Sequence, residues 1–190
     1  MDSTFLAAVI AAAVTAGGWL VNHTLSARAD LKRRKAEARL THIENQLEQL
    51  YGPLLFLIKE GRSAFHDFCE TLGHNYVFAP GRPLSPEEQE LWLFWVDREF
   101  MPRNEAIQDL LSSKTHLIAG HQMPDSYMAF IDHYNSWRVT HLRWKEKGVP
   151  YSWHSKVNWP QSFETDVITT YERLKSLQIQ LTGLVRGMEA

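Results

Sequence analysis

The sequence predicts an all-α protein, with a single N-terminal transmembrane helix followed by a cytoplasmic helical bundle of about five helices. Three observations carry this. Residues Thr4 to Asn22 hold no charge. Beyond them, apolar residues recur at steps of three and four, the spacing of a helix face. No stretch sustains the period-two alternation of a strand. Composition agrees: 44% hydrophobic residues and seven Trp in 190 point to a folded domain after the anchor and against long disorder.

The uncharged run is about 28 Å long at 1.5 Å per residue, close to one hydrocarbon core. A cleaved signal peptide would open with a positive region, but here only Asp2, Ser3 and Thr4 precede the apolar residues. The cations crowd the other flank, at Arg28, Lys32, Arg33, Arg34, Lys35 and Arg39. The positive-inside bias then predicts a signal-anchor with its N-terminus outside and its C-terminus in the cytoplasm. The segments follow: a short extracytoplasmic stretch at 1–3, the span at 4–22, a basic juxtamembrane helix at 23–39 and a cytoplasmic domain at 40–190. Trp19 stands where an interfacial aromatic belongs. Arg28, Lys32, Arg33, Arg34 and Lys35 are the candidate lipid contacts, each worth up to ~1 kcal/mol beside anionic headgroups. Ala8, Ala12 and Ala16 repeat at four residues, a small face through which two spans could pair as a homo-oligomer.

The net charge of −2 is unevenly spread. Six of the 20 Lys/Arg and three of the 22 Asp/Glu fall in residues 1–39, leaving 14 basic against 19 acidic residues in the rest. A domain of net −5 lacks the basic footprint of a nucleic-acid binder, so no nucleic acid is expected as partner. The single Cys69 excludes an intramolecular disulfide and suits a reducing compartment.

Along the cytoplasmic chain, Leu40, Ile43, Leu47, Leu50 and Leu54 form an amphipathic seam. Gly52-Pro53 interrupts it, and proline's missing N–H predicts a sharp kink or a helix boundary there. The seam resumes through Ile58, Gly61, Phe65, Phe68 and Leu72. Residues 75–84 read as a loop, with Pro80, Gly81 and Pro83. Ser85-Pro86-Glu87-Glu88 predicts a helix start, with Ser at the N-cap, Pro at the first position and Glu at the third. Leu91 to Val96 is apolar all round, which places that helix centrally. Pro102 is expected to end it, with a shorter helix through Ile107, Leu110 and Leu111 after it. Pro124-Asp125 opens a helix striped by Tyr127, Phe130, Tyr134, Trp137, His141 and Trp144, closed by Gly148-Val149-Pro150. A last helix runs from about Pro160 to Gly187 along Phe163, Val167, Leu174, Leu177, Leu181, Leu184 and Met188.

Leu50-Tyr51-Gly52-Pro53-Leu54 after a basic helix, Phe100-Met101-Pro102 with Asn104, and the late Arg173-Leu174-Lys175 helix together resemble a loosely defined group of bacterial membrane-anchored helical proteins. The resemblance spans most of the cytoplasmic part. It implies a bacterial inner-membrane location and no particular activity.

Candidate chemistry is sparse. His66, Glu70 and His74 stand at i, i+4 and i+8 with Cys69 beside them, residue types and spacing that suit a zinc-like ion. They fall opposite the seam, so a solvated face is the competing reading. His141 lies within an aromatic stripe and reads as a core histidine bonded to a neighbour. Glu87, Glu88 and Glu90 fall in a first helical turn, where they complement the helix dipole. The sequence holds no phosphate loop and no zinc-protease helix, and Cys69 lacks a recognisable catalytic partner. In the loop at 148–159, Tyr151, Trp153 and Trp159 either cap the bundle or form an interaction surface. The expectation is a membrane-tethered protein-interaction module, a scaffold or effector, without a cofactor. The alternative is a membrane-bound enzyme with a His-based or metal site.

Overall fold

Proline at residues 53 and 102 is the test of any helical reading of this chain, and both prolines lie inside continuous helical runs. A computed structural model describes residues 3–73, 84–149 and 158–189, with side chains over 10–73, 84–149 and 158–187. The elements in order are α1 (Ser3–Gln46), a π turn (Leu47–Tyr51), α2 (Gly52–Leu72), α3 (Pro86–Trp95), a second π turn (Val96–Phe100), α4 (Met101–Ser113), a 3₁₀ turn (Thr115–Leu117), α5 (Asp125–Lys147) and α6 (Gln161–Glu189). All regular structure among the described residues is helical: four uninterrupted runs, 3–72, 86–113, 125–147 and 161–189, and the short 3₁₀ turn at 115–117.

The helix-boundary reading at Gly52-Pro53 and the expected helix end at Pro102 are therefore corrected: the helical backbone runs through both. In each case a five-residue π turn stands directly before the Xaa-Pro pair. The Gly52 N–H bonds to the Leu47 carbonyl, five residues back, and Met101 N–H bonds to Val96 in the same way. A proline ring in a helix clashes with the carbonyl four residues before it and leaves that carbonyl without a donor. Widening the preceding turn by one residue moves the backbone out of that clash, and the helix resumes with proline in its first turn, where an N–H is not needed. Gln46, Tyr51 and Gly52 all keep right-handed helical backbone angles.

The remaining boundaries follow their chemistry. Ser85 caps α3 through a complete capping box: its Oγ accepts from Glu88 N–H at 3.1 Å and its own N–H donates to Glu88 Oε2 at 2.8 Å. Gly148 closes α5 in the left-handed region at φ 62°, where a side chain would be strained.

The chain divides into two compact units, residues 1–43 with 177–190, and residues 44–176. In the first, every described side chain from Ile10 to Lys32 is exposed. Burial begins at Arg33 and continues through Ala36, Leu40 and Ile43 at helical steps, while Leu177, Leu181 and Val185 are half-buried on the last turns of α6. Leu184, expected on the buried face of α6, is instead 49% exposed. Among the described residues no helix is long and apolar enough to cross a membrane. The described side chains start six residues into the uncharged run, and the 13 that remain, 10–22, are fewer than the ~20 a span needs.

The second unit holds the main core, in which α4 packs on both α2 and α5. Leu47, Leu50, Tyr51, Leu54, Ile58 and Phe68 are its contribution from the first run, and Ile107 and Leu111 face them from α4. Phe68, Cys69, Trp92 and Val96 form a cluster flanked by Trp95, Phe100, Trp137 and Trp144. On α5, Tyr127, Phe130, Tyr134 and His141 are buried and Trp137 and Trp144 half-buried, so the aromatic stripe is the core face. Phe130 stacks on Phe163 of α6 with ring centroids 4.7 Å apart. The 91–96 segment is not apolar-buried all round, since Phe94 is 60% exposed.

Gly52 gives a direct test of the first π turn. A Cβ there would come within 2.7 Å of the Leu47 carbonyl oxygen, a backbone atom that cannot move without opening the turn. An ordinary helical Gly→Ala change raises stability by up to about 1 kcal/mol. Gly52→Ala is expected to melt at or below the parent temperature, and a rise would show the turn to be an ordinary α-helix.

Candidate functional site

Three places in the chain carry more than packing. The first is the N-terminal part of α1. Ile10, Val14, Trp19, Leu20, Val21 and Leu25 are all more than half exposed, on every side of the helix. Trp19 stacks on His23 with ring centroids 5.3 Å apart. Below them Arg28, Lys32, Arg34 and Lys35 project into solvent. Arg33 differs from the other predicted lipid contacts: it is half-buried, 3.7 Å from Glu37 and 3.9 Å from Asp30. Ala12 and Ala16 of the small-residue stripe are exposed, and the Ala8 side chain lies outside the described residues.

The second is a groove of about 500 Å³ lined by Gly52, Leu55, Phe56, Lys59, Glu60, Ser63 and Tyr171. Its wall is largely apolar, and Phe56 is 65% exposed beside it. The turn-periodic seam of α2 points elsewhere, into the core, so a reading of periodicity passes over this face. The available signal was Leu55-Phe56, two apolar residues in excess of the seam.

The third is a set of polar and titratable groups that link the helices, in which buried or half-buried Asp97, His141, Arg103 and Glu164 meet more exposed partners. His141 Nε2 donates to Asp97 Oδ1 at 3.1 Å, and Lys145 Nζ donates to the same oxygen at 2.6 Å. Asp97 stands in the second π turn and His141 and Lys145 on α5, so the carboxylate ties the two helices together. The Lys145 ammonium first, and then His141, hold the Asp97 carboxyl below its ordinary range against the opposing effect of burial. Arg103, nearly buried on α4, pairs with Glu60 at 3.4 Å and Glu99 at 3.1 Å. Gly61 makes room for it, since a Cβ there would lie 3.1 Å from Arg103 Cδ. Glu164 is buried on α6, paired to Arg62 and accepting from Trp159 Nε1 at 3.4 Å. Ser126 donates to Asp166, and Tyr51 Oη accepts from Ala119 N–H at 2.9 Å. Burial, with the neighbouring Tyr51 adding to it, pushes the Tyr127 phenol far above its ordinary range. These groups satisfy one another across helix contacts, which is how a helical core tolerates charge.

The predicted metal ligands are only partly brought together. His66 Nδ1 lies 3.6 Å from Glu70 Oε1, and Asp67 joins them to give three ligand atoms within 4.8 Å of one another. All three side chains are exposed, and His74 lies outside the described residues. Cys69 is buried, and burial raises its thiol pKa, which disfavours the thiolate. Tyr151 and Trp153 lie outside the described residues. Trp159 is half-buried, edge-on to Phe130 at 5.8 Å and His133 at 5.7 Å, and closes that end of the aromatic stack.

Comparison with known protein families, with curated proteins and with solved structures finds no match.

The Asp97 link has a pH signature. A carboxyl lowered in the folded state stabilises the fold at pH values above its unfolded pKa of about 3.9, and that contribution is lost as pH falls through the folded value. Asp97→Asn is expected to cost about 1–3 kcal/mol at pH 7. The gap to the parent should narrow as pH falls below about 3.9 and close only below the lowered folded value, where both chains present a neutral side chain. A gap independent of pH would show that the charge of Asp97 plays no part.

Proposed function

We propose that the chain is a membrane-tethered protein-interaction module of the bacterial inner membrane, a scaffold or effector anchored by residues 4–22 with its helical domain in the cytoplasm. One observation carries the reading: the uncharged run from Thr4 lies on a helix that continues without a break into the basic segment, and no described apolar side chain between Ile10 and Leu31 is covered by protein. Bare apolar residues around the whole circumference of a helix are unfavourable in water and suit hydrocarbon, where the helix satisfies its own backbone. Arg28, Lys32, Arg34 and Lys35 then meet the headgroups and set the orientation. Among the described residues the domain beyond offers an apolar groove beside exposed Phe56 and ion pairs that link its helices, and this supports binding as its role.

Membrane fractionation tests the tether. The full chain is expected to stay in the membrane pellet through alkaline carbonate extraction, and a reporter fused to the C-terminus should be active only in the cytoplasm. Neutralising Lys32, Arg33, Arg34 and Lys35 together should weaken that orientation. Release into the supernatant, or a periplasmic reporter signal, would overturn the reading.

A further inference from the structure

We draw no further inference here: the strongest candidate, the apolar groove lined by Leu55, Phe56 and Lys59 of α2 and Tyr171 of α6, carries nothing further because nothing in the structure shows what covers it.

Discussion

A proline cannot donate the hydrogen bond that holds a helix together, and this chain places one inside each of two of its core-forming runs. The two π turns resolve that conflict, and the rest of the domain is built on the outcome. By widening the helix just before Gly52-Pro53 and Met101-Pro102, they let residues 3–72 and 86–113 run on where a break was expected. The turns also decide which side chains face inward. Leu47, Leu50 and Tyr51 are buried in the first and Val96 in the second. Residues on either side of each turn keep to the core even though the periodicity slips by one between them. Had either helix ended at its proline, α2 and α4 would enter the core with different faces.

The second π turn also places a charge. Asp97 follows Val96 and reaches α5 at the level of His141 and Lys145, a link between residues 44 and 48 positions apart in the chain. Arg103, one turn beyond, reaches Glu60 across the gap that Gly61 leaves. An isolated charge in either place would carry a desolvation penalty of several kcal/mol, and removing one partner of such a pair exposes the other to it. The pairs therefore act less as a source of stability than as a constraint on alignment: the helices satisfy these charges in one register and leave them stranded in others.

These features differ in how far the sequence reveals them. Local ones were legible, because the residues that cause them are neighbours. Ser85 and Glu88 form the capping box their spacing predicts, and Gly148 ends α5 in the left-handed conformation that favours glycine. The α5 stripe from Tyr127 to Trp144 was readable as a core face from its three-four alternation. The π turns were not, since proline alone signals interruption and says nothing of whether the preceding turn can widen. Nor were the partners of Asp97, Arg103 and Glu164, which depend on which helices meet. His133, Ser126 and Gln46 are buried but fall off the apolar seams, so periodicity passes over them. Of the candidate sites, the exposed character of α1 and of His66 and Glu70 followed from composition and face. The Phe56 groove did not, because it lies beside a stronger core stripe that accounts for the helix by itself.

The central claim, that helices pass through their prolines by way of π turns, is most directly tested by a distance across the second one. Spin labels at the exposed positions Glu90 and Glu105 flank Val96–Phe100 on the same run. Their 15-residue separation corresponds to about 22 Å along a continuous helix. A pulsed electron-resonance measurement should return one narrow distribution near that value. A distribution centred well below it, or spread over many ångströms, would mean that the helix ends at Pro102 and that the account of the core built on its continuity is wrong.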